Sequence, residues 1–121
     1  MTEIQNSKQY NLEERALKFA KRVRNFVKRL PKTTANIEDG KQLIRSSGSQ
    51  AANYIEANEA LSKKDFLMRI KISRKESKES TLWLNLIGAD GINELEKERL
   101  ELLQEANELT KIFSSIMRKA E

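Results

Sequence analysis

The chain offers very few places to turn. It carries one proline and four glycines in 121 residues, less turn chemistry than a sheet-rich fold requires. Between those breaks, apolar residues recur at intervals of three and four, the spacing of one helix face. The first stripe is Leu12, Ala16, Phe19, Ala20, Val23, Phe26, Val27 and Leu30. Asn11 with Glu14 reads as a capping box at its start. Pro31 ends it, because proline lacks an N–H and disfavours helix in the residue before it. A second helix is expected from Asn36, with Asp39 three residues on. A third is expected from Ser62 with Asp65 to about Ile87, closed by Gly88. Its stripe is Phe66, Ile70, Ser73, Ser77, Thr81, Leu84 and Ile87. Asn93 with Glu96 opens a fourth, with Leu95, Leu102, Leu103, Ala106, Leu109, Phe113, Ile116 and Met117 on one side. Connections around 31–36, 59–62 and 88–93 are short, which makes sequential helices antiparallel. The expected fold is all-α: an up-down-up-down antiparallel four-helix bundle over residues 11–119, after a flexible N-terminus of residues 1–10.

One stretch tests this reading. "RSSGSQAANYIEA", from Arg45 to Ala57, has the composition of a linker. Yet Ile37, Leu43, Ile44, Ser47, Gly48, Ala51, Ala52, Tyr54 and Ile55 keep a period near that of a helix. A flexible linker has no reason to do so. The stretch is therefore expected to be helix with a thin inner face. An interior glycine costs about 1 kcal/mol against alanine, and close approach of a neighbouring helix at Gly48 would offset it.

Composition excludes several classes of function. Without cysteine there is no disulfide or thiolate metal site, and without histidine the commonest general base and transition-metal ligand are gone. Glu56, Glu76 and Glu79 are the only acids that suggest a site. Helical bundles that hold metal pairs also use Glu-x-x-His motifs. The plainer reading of these acids, with Arg45, Ser49 and Asn53, is a structural polar network that fixes helix register. A magnesium-dependent enzyme built on the three glutamates is the weaker alternative. No enzyme, catalytic residue, metal or cofactor is expected. The segment MTEIQNSKQY lacks an apolar core, so no signal peptide is read. No run approaches the ~18 apolar residues of a membrane span. The expected location is cytoplasmic, with no membrane partner.

The net charge of +5 favours an acidic partner. Arg15, Lys18, Lys21, Arg22, Arg24, Lys28, Arg29 and Lys32 occupy the side of the first helix opposite its apolar stripe, and no acid falls between Ala16 and Ile37. One reading is a phosphate-tracking, nucleic-acid-binding face. The other is a solvated face that also pairs with the acid-rich fourth helix. In the third helix, Leu82, Trp83 and Leu86 lie off the main stripe, so its C-terminal half is apolar nearly all round. That marks them as an oligomer interface.

"RSSGSQAANYIEA" followed by "KKDFLMRIKISRKESKESTLWLNLI" resembles the bacterial four-helix-bundle proteins encoded within intervening sequences of large-subunit ribosomal RNA genes. The resemblance runs from about Leu12 to Met117. It centres on Ser49, Asn53 and Glu56, then Asp65-Phe66, Lys75-Glu76, Glu79 and Trp83-Leu84. Ser80-Thr81-Leu82 departs from it, standing where threonine followed by an aromatic is usual before Trp83. So does Gly48, where a bulkier small residue is usual. The resemblance implies a ring, commonly a homopentamer. The chain is also similar to accessory proteins of diversity-generating retroelements, which bind a reverse transcriptase and nucleic acid through basic surfaces. The combined expectation is a non-enzymatic oligomeric scaffold that binds structured RNA through the basic face of its first helix, in the service of a reverse transcriptase or other nucleic-acid enzyme. The alternative is a protein–protein adaptor with no nucleic-acid binding.

Overall fold

The computed structural model describes residues 3–121, with side chains from Asn11 onward. Four helices hold nearly all of them: α1 Glu3–Lys28, α2 Thr34–Asn58, α3 Lys63–Leu86 and α4 Asn93–Ala120. No strand occurs among the described residues. α1 and α3 each pack on α2 and on α4, and the backbones of the diagonal pairs stay apart.

One side chain fixes the direction of three helices. Asn36, near the start of α2, donates from Nδ2 to the Pro31 carbonyl at 3.1 Å and to the Gly88 carbonyl at 2.9 Å. Its Oδ1 accepts from the Gly88 N–H at 3.0 Å. The end of α1, the start of α2 and the end of α3 therefore meet at one end of the molecule. That is the antiparallel order expected from the short connections.

The helix ends correct several expectations. Ser62 is the cap of α3, its side chain accepting from the Asp65 N–H at 3.1 Å. The cap of α2 is Thr33, which accepts from the Asn36 N–H at 3.1 Å; Asn36 is inside the helix and buried. α4 begins at Asn93 after Ile92, with no side-chain cap, and Glu96 turns instead to Arg99 at 2.8 Å. Gly88 is not a left-handed helix stop. The left-handed residues of that turn are Asp90 (φ 54°) and Gly91 (φ 73°). Arg99 compensates by donating to the Leu84 carbonyl at 3.0 Å, one of the last carbonyls of α3, which lack intrahelical partners. Asn11 lies within α1 rather than at its start. The segment expected to be a flexible N-terminus, residues 1–10, falls where side chains are not described.

The stripes of α1 and α4 face inward as expected. Ala16, Phe19, Ala20, Val23, Phe26 and Leu30 meet Leu95, Leu102, Ala106, Leu109 and Phe113 in the core. Tyr54 reaches Phe113 across the core, with ring centroids 5.6 Å apart. α2 is helical through the whole of "RSSGSQAANYIEA". Its buried face, however, is turned by about one position from the expected stripe. Asn36, Gly40, Leu43, Ser46, Ser47, Gln50, Ala51, Tyr54 and Ala57 point inward, while Ile37 and Ile55 are 45% and 42% exposed.

Polar pairing accounts for that rotation. α3 buries Ser73, Ser77 and Ser80; buried hydroxyls favour partners, and Ser73 and Ser80 find theirs on α2, while Ser77 Oγ has none among the described residues. Ser46 Oγ and Ser80 Oγ lie 2.8 Å apart, and Ser73 Oγ donates to the Gln50 carbonyl at 3.0 Å. Gln50 Nε2 crosses to the Ala16 carbonyl of α1 at 2.8 Å. Small side chains let α2 and α3 become the most extensively packed pair of helices. Close approach at a glycine also occurs, but at Gly40. A Cβ there would stand 2.9 Å from Cγ1 of Val27, whereas at Gly48 the nearest atom is Nη2 of Arg24 at 3.4 Å.

The two glycines should therefore respond in opposite senses. Val27 is β-branched and stiff, so Gly40→Leu should destabilise by about 1–3 kcal/mol through overpacking. Gly48→Ala meets only a mobile guanidinium and should stabilise by up to about 1 kcal/mol through helix propensity. Urea unfolding followed by Trp83 fluorescence measures both. Asn36→Ala should cost about 1 kcal/mol, because it removes three part-buried hydrogen bonds to the Pro31 and Gly88 backbone; an unchanged denaturation midpoint would show that the end-tie is dispensable.

Candidate nucleic-acid interface

The eight bases assigned to the first helix divide into two groups. Arg15 donates through Nε and Nη2 to the two oxygens of Glu105 at 2.7 Å each, and from Nη2 to Glu108 at 2.9 Å. Arg22 Nη2 reaches Glu98 at 2.8 Å and Glu101 at 3.1 Å. Both arginines sit on the α4 side of α1, one above the other at i and i+7, and clamp the two helices together. The hydrogen bond to Glu105 is the largest reason the Arg15 guanidinium is held more firmly protonated than usual. In return, the hydrogen bond from Arg15, with a smaller one from Gln104, holds the Glu108 carboxyl below its ordinary range. A depressed carboxylate contributes stability that is present above its ordinary range and lost as pH falls through its lower folded value. Pairs of this kind are open to solvent and screened by it, so they add little to stability. Their larger consequence is that Arg15 and Arg22 already face acid.

Lys18, Lys21, Arg24, Lys28, Arg29 and Lys32 form the second group. All six are exposed, and none makes an ion pair among the described residues. Arg24 leans toward α2, beside Gly48, and donates to the Ala20 carbonyl of its own helix at 3.2 Å. Arg29 donates to the Asn25 carbonyl at 3.3 Å. The remaining lysines point into solvent.

Between α2 and α3 lies the expected polar network, with one member lost and one gained. Arg45 reaches Glu76 at 3.5 Å and Glu79 at 3.1 Å. Ser49 donates to the same Glu76 oxygen at 3.2 Å. Asn53 donates to the Ser49 carbonyl at 3.0 Å and accepts from Arg69 at 3.0 Å. Glu56 is exposed and makes no side-chain hydrogen bond among the described residues. The three glutamates are not brought together, and no cluster of acids suited to a metal occurs among the described residues. Arg69 was missed because it lies on α3 sixteen positions from its partner, a distance that only the hairpin closes.

Of the three residues assigned to an interface, Leu82 and Leu86 are 49% and 55% exposed. Trp83 instead packs against the core, and its buried Nε1 has no partner among the described residues.

A second basic face was also missed. Lys64, Lys71, Lys75 and Lys78 are exposed on the outer side of α3, with Arg74 half-buried beside them. The signal was present in the sequence: from Lys63 to Lys78 the only acids are Asp65 and Glu76, and Glu76 is buried.

No helix of the described residues is long and apolar enough to cross a membrane. Residues 8–115 match the family model described as 23S rRNA-intervening sequence protein. The fold is similar to the crystal structure of a protein of unknown function from the S23 ribosomal protein family of Bacteroides thetaiotaomicron. The two are 29% identical, the match covers 92% of this chain and 98% of that one, and the TM-score is 0.76. No curated protein matches the chain. The family match reaches into all four helices and takes in both the serine seam and the basic face of α1. The chain belongs to the 23S rRNA-intervening sequence protein family.

Proposed function

We propose that this chain is a non-enzymatic, self-associating helical scaffold that holds structured RNA by its phosphate backbone. The observation that carries this reading is the outer face of α1. After Arg15 and Arg22 are taken up by α4, Lys18, Lys21, Lys28, Arg29 and Lys32 still point outward with no acid partner among the described residues. Such a row neutralises phosphates without reading bases. No aromatic interleaves it, so duplex or folded RNA suits it better than a stacked single strand. The family's description, 23S rRNA-intervening sequence protein, makes RNA the natural polyanion. Exposed Leu82 and Leu86 suit a contact between copies, and a ring such as a homopentamer would repeat the α1 face and multiply weak contacts. A scaffold of this kind would serve an enzyme that works on RNA, a reverse transcriptase included.

The paired arginines decide which variant tests the reading. Replacing Arg22 would break the α1–α4 clamp and confuse binding with folding. Lys18→Gln, Lys28→Gln and Arg29→Gln together touch only exposed groups. The triple variant should keep its thermal melt and lose RNA affinity, with the salt dependence of binding flattened by about 2 in log–log slope. Wild type that binds no RNA at low salt, or a variant with an unchanged slope, would leave the protein-adaptor reading. Light scattering at micromolar concentration tests the assembly, and a monodisperse monomer would exclude the ring.

A further inference from the structure

The outer face of α3 is the largest charged surface that the α1 reading leaves unused. Lys64, Lys71, Lys75 and Lys78 are exposed, Arg74 flanks them, and none makes an ion pair among the described residues. Of the acids on the same helix, Glu76 and Glu79 are held by Arg45 at 3.5 and 3.1 Å, and Asp65 lies half-buried beside Lys64 at the N-terminal end of the row. At a rise of 1.5 Å per residue, the row from Lys64 to Lys78 runs about 21 Å along the helix. That length of cations can track several successive phosphates of one nucleic-acid backbone.

Two other occupants fit less well. A helix that lies on a membrane must present a free apolar face to the acyl chains. The main apolar stripe of α3 is turned inward, with Ile70 and Leu84 fully buried, and along the lysine row Met68 is the one large apolar side chain that is exposed, with Leu82 and Leu86 beyond its end. A second copy of this chain, at net charge +5, would bring like charge against the row. The exposed leucines of α3, Leu82 and Leu86, lie beyond the C-terminal end of the lysines, so a contact between copies there leaves the row itself open.

The position of the row adds a consequence. α1 and α3 are diagonal in the bundle and their backbones stay apart, so their basic outer faces look away from each other. A single RNA helix cannot follow both at once. We propose that the outer face of α3 is a second phosphate-binding surface, and that one subunit uses α1 and α3 to hold two RNA segments on opposite sides of the bundle. The inference rests on the RNA-binding reading and adds a bridging activity to it. The scaffold would gather separate RNA segments, or distant parts of one RNA, without reading their sequence.

The test uses the full chain and two unrelated RNA hairpins, one carrying a donor dye and the other an acceptor. Wild type should bring the dyes together when RNA is in excess, and surplus protein should separate them again. Lys71→Gln, Lys75→Gln and Lys78→Gln together should keep the fold, checked by thermal melt. This variant should still bind one hairpin through α1, with a log–log salt slope lower by about 2. In a background held monomeric by Leu82→Ser and Leu86→Ser, checked by light scattering, energy transfer should persist with the α3 lysines in place and fall to background without them. Undiminished transfer there after the lysines are replaced would overturn the assignment, because one α1 face cannot hold two hairpins. An unchanged salt slope would overturn it as well, and loss of binding to anionic phosphatidylserine vesicles instead would make the face a membrane surface. Wild type that binds no single hairpin at low salt would bring down the underlying RNA reading together with this one.

Discussion

Ser46 on α2 and Ser80 on α3 share a hydrogen bond of 2.8 Å in a site with no solvent access. Much of the bundle depends on the seam around that bond. Serine is small enough to let the two helices approach, and a buried hydroxyl is stabilised by a partner, which Ser73 and Ser80 have on α2 and Ser77 lacks among the described residues. One of the two hydroxyls donates to the other, which in turn donates to a carbonyl of its own helix, Leu43 for Ser46 or Glu76 for Ser80, and Ser73 donates to the Gln50 carbonyl. Apolar contacts alone would tolerate a sliding or rotating helix. These hydrogen bonds do not, so they set the register of α3 against α2. Through Gln50 and Ala16 they also set the register of α1.

The seam determines what reaches the surface. Turning α2 so that Ser46 and Gln50 face inward leaves Ile37 and Ile55 half in solvent. It places Arg45, Ser49 and Asn53 on the flank that meets Glu76, Glu79 and Arg69. α3, with one side against α2 and another against α4, can offer solvent only the side that carries Lys64, Lys71, Lys75 and Lys78. The basic faces of α1 and α3 are thus consequences of packing as much as of composition. Each helix shows solvent what its neighbours do not need.

Charge is divided by the same geometry. α4 supplies Glu98, Glu101, Glu105 and Glu108 to two arginines of α1. It leaves Lys18, within about a sixth of a turn of both arginines, without an acid partner among the described residues. Bidentate geometry makes Arg15 a positioning group for α4, while the nearby Lys18 remains a free ammonium. A uniform basic stripe in sequence becomes a clamp beside a binding face.

The helical period, the single proline and the caps were enough to place four helices, because each of those signals acts within a few residues. Ser62 announces α3 through a bond to its own next turn. The helical nature of "RSSGSQAANYIEA" was legible for the same reason. The pairing of Arg45 with Glu76 and Glu79, and of α1 with the acid-rich α4, was also anticipated; what remained hidden was which individual residues a distant partner selects. Gly40 and Gly48 look alike in the chain, and only Val27 makes one of them a close contact. Asn36 reads as a helix cap and serves as a tie to Gly88. Arg15 and Lys18 read as one face and are separated by Glu105. Local propensity specified that four helices form, and Ser62 and Pro31 marked two of their ends. Which side of each helix is buried, which bases are neutralised and which remain free was decided by tertiary packing, because buried hydroxyls and close-packed glycines accept only one arrangement of their neighbours.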